Sequence, residues 1–444
     1  MKKDNRRKQG SPIKKLGSLI VITSIIAFAS IKAARAWEYH PGENKYIAHI
    51  DAAKEYMNEE YYVEAIDEFR KAQELKSTSD SKISIAECYL LLGDMNSFKT
   101  EADEALQQYG YSERLYMDYV YYYDYQKETA EEIKLLEEAV LEYPESEYFR
   151  LCYDSVKGDY TEEGNTYDMV YALADGYDIV VDGEETKVIT GKEKSVSKAC
   201  FDAVFDISKG EELRISAFKD GQVNYYDKEG YRRKTPEGDY DFLGNYYDGY
   251  ALSHNADGWF YIDEKGDAAS KYYEAATSYS DGIAAVKENG SWMIVGRNFK
   301  PVSGEKYEDI VKDEANNFVF AGRIFAKDKT GYLMLDTKGN VISSGYTVVK
   351  PFMEEDGYAA VFDNEGWKVI DASGNCIEKV SCDELRASGN GLMPYRVGEL
   401  WGYIGVSDGI YVEPVFEDAL RVNDKGYAAV KINGQWTYIH FTKF

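Results

Sequence analysis

The stretch DGYAAVFDNEGWKVIDASGN, Asp356 to Asn375, reads as two short strands joined by a polar turn. GYAAV alternates and is bulky, as a strand requires. WKVID returns as its partner, and ASGN turns again. Trp367, taken alone, is either a platform on which a sugar stacks or a ring that fills a core. The rest of the chain decides between them. DGYALSHNADGWFYIDEKG begins at Asp248, DGIAAVKENGSWMIV at Asp281, NGLMPYRVGELWGYI at Asn390 and KGYAAVKINGQWTYI at Lys425. In all five copies a glycine is followed ten residues later by a tryptophan: Gly249/Trp259, Gly282/Trp292, Gly357/Trp367, Gly391/Trp401 and Gly426/Trp436. Gly322 and Tyr332 keep the frame with another aromatic ring. Two weaker copies, at Asp175–Thr190 and Leu213–Gly230, put Thr186 and Val223 in the tryptophan position.

An aromatic-acidic tetrapeptide precedes each copy, as in YDMV (Tyr167), FDAV (Phe201), YDFL (Tyr240), YEAA (Tyr273), YEDI (Tyr307) and FEDA (Phe416). The count is eight units with a period of 33 to 40 residues, a signature of internal repetition. Turns such as KENG and KING supply the positive φ that tight hairpins need. About four short strands in roughly 36 residues is the content of a propeller blade.

The units resemble WG repeats, bacterial extracellular repeats named for a Trp-Gly pair. Only Trp401-Gly402 has the literal dipeptide; elsewhere Phe260, Met293, Lys368 or Thr437 follows the tryptophan. The resemblance covers residues 165–444 and implies an architecture rather than an activity. We expect a closed, propeller-like ring of about eight units, the alternative being an open β-solenoid with a cap at each end. The region opens on YDMV, read as the last strand of a unit, and closes on WTYIHFTKF, a second strand. The two ends would then complete one shared blade and leave no exposed sheet edge.

Residues 46–145 carry helical periodicity. Ala65, Phe69 and Ala72 fall on one face, then Phe98, Ala102 and Ala105, then Leu136 and Ala139, in registers 33 and 34 residues apart. Tyr56, Tyr89 and Tyr123 recur upstream at one offset. The pattern resembles the tetratricopeptide repeat, although Glu132 stands where that family prefers alanine and only the third unit has the closing proline, Pro144. The resemblance implies a concave groove for a protein partner, with Lys54, Glu87, Tyr121 and Asp124 on the first helices facing it. The competing reading makes these four solvated positions on a spacer.

Residues 1–15 are basic and residues 16–36 are apolar from Leu16 to Ile31 before ending in Ala34-Arg35-Ala36. Basic residues ahead of an apolar stretch stay in the cytoplasm and send the downstream chain across the membrane. The segment reads as a retained anchor, or as a cleaved signal peptide with a small-x-small site. Either way the bulk of the chain is expected outside the cytoplasm, at a cell surface.

Composition narrows the function. A net charge of −27 argues against nucleic acid, whose binding requires basic residues. The five cysteines form no C-x-x-C pair, and Cys376 with Cys382 is the one couple close in sequence. Four histidines, His40, His49, His254 and His440, sit at no metal-ligand spacing, and neither a G-x-S-x-G elbow nor a phosphate loop occurs. Asp227, Asp263, Asp336 and Asp371 recur after the second strand; turn capping accounts for them better than a calcium loop, whose ligand run is missing. The expectation is a protein without catalytic residues, cofactor or metal. It would bind a protein partner or, alternatively, a cell-wall glycan.

Overall fold

The computed structural model describes residues 41–172, 177–190, 197–208, 213–313, 315–352 and 357–444. The basic and apolar segments 1–36 lie outside the described residues. Among those described, no helix is long and apolar enough to cross a membrane. The chain divides into a helical unit reaching Lys157 and a β unit starting at Gly158.

Seven helices are described: α1 (Pro41–Asn58), α2 (Tyr62–Leu75), α3 (Ser79–Leu92), α4 (Met95–Tyr109), α5 (Glu113–Gln126), α6 (Thr129–Glu142) and α7 (Glu147–Val156). The periodic residues of α2, α4 and α6 are all buried, Ala65, Phe69, Phe98, Ala102, Leu136 and Ala139 among them. Boundaries follow from capping. Thr78, Asp94 and Ser112 each accept a backbone N–H from the first turn of α3, α4 and α5. Gly93 ends α3 in the left-handed conformation, at φ 77°. The helices continue past residue 145 because α7 buries Phe149, Cys152 and Tyr153 against the end of the array.

Eight antiparallel sheets follow. Sheet 1 comprises Met169–Ala172, Tyr177–Asp182 and Glu185–Thr190; sheet 2, Ala203–Ser208, Arg214–Lys219 and Gln222–Tyr226; sheet 3, Phe242–Tyr247, Tyr250–Asn255 and Gly258–Asp263. Sheet 4 comprises Ala275–Ala276, Ile283–Glu288 and Ser291–Gly296. Sheet 5 runs from Asp309–Ile310 through Arg323–Asp328 and Gly331–Asp336 to Val341–Tyr346, with Val319–Phe320 as an added strand. Sheet 6 is Val348–Lys350, Tyr358–Asp363, Gly366–Asp371 and Cys376–Val380, and sheet 7 is Glu384–Leu385, Leu392–Val397, Leu400–Gly405 and Gly409–Phe416. Sheet 8 joins Asp418–Val422, Tyr427–Ile432 and Gln435–Phe441 to Tyr160–Tyr167, from the other end of the unit.

The buried residues form a cyclic series of cores. Ile179 packs with Ile215 between sheets 1 and 2, Tyr225 with Leu243 between 2 and 3, and Tyr261 with Ala284 between 3 and 4. Trp292 and Ile324, Phe325 and Val361, Trp367 and Met393, and Trp401 and Ala428 continue the series to sheet 8. Trp436 and Val180 then join sheet 8 to sheet 1. The unit is a closed, propeller-like ring of eight sheets, and the open solenoid is excluded.

One expectation needs correction. YDMV is not the last strand of a unit: Tyr167 pairs with Trp436 in sheet 8, whereas Met169 and Val170 open sheet 1. The strand that completes the shared sheet is Tyr160–Tyr167, just upstream. Cys376 and Cys382 are not bridged, and all five cysteines are free thiols.

Polar joints supplement the cores. Asp206 of sheet 2 is fully buried and accepts hydrogen bonds from the Asn245 backbone N–H (2.6 Å) and the Tyr247 hydroxyl (3.0 Å) of sheet 3. Burial pushes its carboxyl up to about 6, more than these donors pull it down. Between the usual carboxylate value near 4 and about 6, the folded ring therefore holds a proton that the unfolded chain has released. Stability from this group falls as pH rises through that window. Asp206→Asn does not titrate and keeps an acceptor for the Asn245 N–H. Its stability relative to wild type should rise by about 3 kcal/mol between pH 4 and pH 7, read from denaturant unfolding of both proteins at each pH. A difference independent of pH would refute the assignment.

Candidate functional site

Two surfaces were singled out by the sequence: the Gly/Trp frame of the ring and the first-helix face of the helical unit. The glycines of the frame are turn residues. Asp248-Gly249 and Asn390-Gly391 connect two strands with φ of 54° and 88°, and 55° and 75°, the two positive values that a two-residue hairpin turn demands.

The tryptophans pack. Trp292, Trp367, Trp401 and Trp436 are 4 to 8% exposed. Each sits in a core that spans two sheets. Arg386 lies 3.7 Å above the Trp401 ring while its guanidinium donates to Asp418 at 2.7 Å and to the Ala419 carbonyl. Trp367 donates its indole N–H to the Asp383 carbonyl at 3.2 Å. Trp259 departs from this pattern: it is half-buried, beside Phe242 and His254.

The aromatic-acidic tetrapeptides prove to be crossing points rather than strands of one unit. Tyr273 exchanges both backbone hydrogen bonds with Trp259, and Tyr307 does so with Trp292. Phe416 is paired to Trp401 and Tyr167 to Trp436. The next residue already belongs to the following sheet. Asp168, Asp202, Asp241, Glu274, Glu308, Thr347, Asp383 and Glu417 each donate their N–H to its second strand, at 2.7 to 3.0 Å. Four of the carboxylates then reach that sheet's hairpin turn. Asp168, Glu274, Asp383 and Glu417 accept the N–H of Gly183, Gly290, Gly398 and Gly434. The aromatic residue closes one sheet and the acid clips the next.

A further joint lies two residues after the tryptophan position. The buried hydroxyls of Tyr225, Tyr261 and Tyr403 donate to the carbonyls of Gly244, Thr277 and Leu420 in the following sheet, at 2.6 to 2.8 Å. Tyr438 reaches Asp178 of sheet 1 at 2.7 Å. The literal Trp-Gly pair also has a local cause. A Cβ on Gly402 would lie 2.2 Å from the Val412 carbonyl oxygen, so the fourth strand of sheet 7 passes where a side chain would stand.

The recurring aspartates cap turns. One oxygen of Asp263, Asp336 and Asp371 accepts two backbone N–H groups, two and four residues on, and Asp227 does likewise. Hydrogen bonds from Asn340 and Asn375 occupy the second oxygen of Asp336 and Asp371.

On the helical unit, Lys54 lies half-buried on α1, Glu87 is nearly buried on α3, and Tyr121 and Asp124 are half-buried on α5. Helices α3 and α5 are brought together by Arg114, a residue that the sequence pattern does not single out. Its guanidinium bonds to Glu87 and to Ser84 (3.0 Å). Glu87 is therefore an internal strut between α3 and α5. Asp118, one turn beyond Arg114, is buried, and burial pushes its carboxyl up to about 7 against the pull of that arginine. Tyr119 is buried, Tyr121, Tyr122 and Tyr123 are half-buried, and Tyr125 is exposed. The signal that could have found Arg114 is its polar spacing on a helix whose other face is core, but solvated arginines share that spacing.

Comparison with known proteins adds one family. The profile of the WG containing repeat matches residues 259–292 and 401–436. No curated protein matches the chain. Among solved structures, KlHsv2 with loop 6CD replaced by a Gly-Ser linker is similar over 60% of this chain and 92% of that one, at 8% identity and a TM-score of 0.35. The Neurospora crassa Pan2 WD40 domain is similar over 64% and 96%, at 11% identity and a TM-score of 0.36. The extracellular domain of the putative hybrid two component system BT3049 from B. thetaiotaomicron gives 12% identity and a TM-score of 0.32; this chain spans 41% of its length. The ring is accordingly read from the strand pairing of this chain itself.

Truncating a frame tryptophan should expose its role. Trp401→Ala removes a buried ring and should cost about 3–5 kcal/mol. Trp259→Ala should cost less than half of that, because its ring is partly in water already. Denaturant unfolding of the two variants checks both, and equal losses would contradict the packing difference.

Proposed function

We propose that the chain is a non-enzymatic interaction protein that binds a protein partner at the bacterial cell surface. In this reading residues 16–36 anchor it in the membrane and the helical and ring units lie outside. The helix pairs are tetratricopeptide-like, and the first-helix face is the partner surface. The observation that carries the reading is the tyrosine run of α5. Buried Leu115, Tyr119 and Val120 fix the helix; Tyr121 is half-buried against their core, Asp124 is half-buried and Tyr125 is exposed. Tyrosine offers a large, rigid contact area with a polar tip, which is why it is enriched at protein interfaces. Helix α3 next to it is held in place by Arg114, so the surface is rigid before a partner arrives.

The test is site-specific cross-linking on intact cells. A photoreactive group introduced at Asp124 should yield one discrete protein adduct, and Tyr121→Ala with Tyr125→Ala should lower its yield about tenfold, a loss of about 1.4 kcal/mol. A smear of adducts, or one discrete adduct indifferent to both substitutions, would overturn the assignment of this face.

A further inference from the structure

We propose that the ring carries a second, independent site: an aromatic strip on sheets 2 and 3 that binds an uncharged polysaccharide chain. The starting point is Trp259. It occupies the same frame as four buried tryptophans, yet it is only partly buried, packed against the core between sheets 3 and 4. It does not stand alone. Phe205 of sheet 2 contacts Phe242 of sheet 3 at 5.3 Å between centroids, Phe242 contacts Trp259 at 5.2 Å, and Trp259 contacts His254 at 4.8 Å. The ring contacts make the row continuous, and all four residues are half-buried.

Polar groups border the strip. The His254 Nδ1 lies 3.3 Å from an oxygen of exposed Asp241. Lys312, from the loop that follows the first strand of sheet 5, places its ammonium 6.0 Å from the Trp259 centroid. That position is fixed. The ammonium bonds to Asn316 Oδ1 at 2.6 Å, the Asn316 carbonyl accepts the Ser278 N–H at 2.8 Å, and Asp313 accepts the Asn317 N–H at 2.8 Å. The loop is thereby held to a segment of the intervening sheet.

The chemistry selects the ligand. Aromatic rings pack against the C–H faces of sugars, and hydroxyl groups need both donors and acceptors. Lys312 donates, Asp241 accepts, and His254 can do either. A peptide added as a strand would need free backbone groups, but the Trp259 N–H and carbonyl are both paired with Tyr273. A polyanion, whether nucleic acid or an acidic glycan, would meet a protein of net charge −27. A neutral chain meets neither obstacle, and a row of rings crossing two sheets suits a polymer more than a single small molecule.

The test uses the full chain and a panel of three uncharged probes, cello-, malto- and chitohexaose, with polygalacturonate as the anionic comparison, by titration calorimetry. At least one hexaose should bind. Trp259→Ala should weaken it about tenfold or more, equivalent to about 1.4 kcal/mol, while Trp259→Phe keeps most of the affinity. The phenylalanine variant guards against a folding defect, because it retains the ring and the packing. Binding of no hexaose, wild-type affinity in Trp259→Ala, or tighter binding of polygalacturonate would each overturn the proposal. The α5 variant Tyr121→Ala/Tyr125→Ala should bind the hexaose as wild type does, so failure of either site is separable from failure of the other.

Discussion

Six joints of the ring depend on one constraint: the chain passes from one sheet to the next between successive residues, Tyr167-Asp168, Phe201-Asp202, Tyr273-Glu274, Tyr307-Glu308, Tyr346-Thr347 and Phe416-Glu417. Successive residues of a strand point their N–H groups to opposite sides. An aromatic residue and the acid after it can therefore pair with two different sheets without an intervening loop. The handover at Tyr167-Asp168 differs only in connectivity. Its aromatic residue pairs with a strand from the far end of the unit. The entropy of that long closure is met once, and in return sheet 8 gains its fourth strand.

Within each joint the apolar term outweighs the polar one. Burying an aromatic ring of roughly 150–250 Å² is worth about 4–6 kcal/mol. A single hydrogen bond nets about 1 kcal/mol. This ordering explains the variation two residues after the tryptophan position. Tyr225, Tyr261, Tyr403 and Tyr438 bond to the next sheet there, whereas Val188, Ile294, Met334 and Val369 fill the same place without a hydroxyl. The ring tolerates loss of the hydroxyl but keeps a side chain that packs.

The eight units, the turn aspartates and the buried tryptophans were legible because each recurs at a fixed spacing, and recurrence is what packing against an identical neighbour demands. The crossing points were not. YDMV and YEAA look extended from end to end, and nothing in an extended tetrapeptide says that its first residue pairs with one sheet and its second with another. The first strand, Tyr160–Tyr167, was missed for a related reason: it carries no apolar alternation, since it covers one edge of sheet 8 and is mostly exposed. On the helices, the core faces at Ala65, Phe98 and Leu136 were readable from period alone. The Glu87–Arg114 pair between α3 and α5 was not, because a partly buried ion pair and two solvated charges have the same sequence.

Repetition also limits where the ring can differ from itself. The frame residues are committed to turns and cores, so a copy can acquire a distinct surface through what covers its tryptophan. Three residues after the acid, sheet 7 has Arg386, which lies over Trp401, and sheet 8 has Leu420, which packs in the core of Trp436. Sheet 3 has Gly244 at that place, with no side chain to lay across a ring. A glycine there leaves the backbone handover at Asp241 intact, since its N–H still reaches His254 at 2.9 Å. Sheet 3 therefore keeps its place in the ring while Trp259 remains only partly buried, and the loop bearing Lys312 borders its ring.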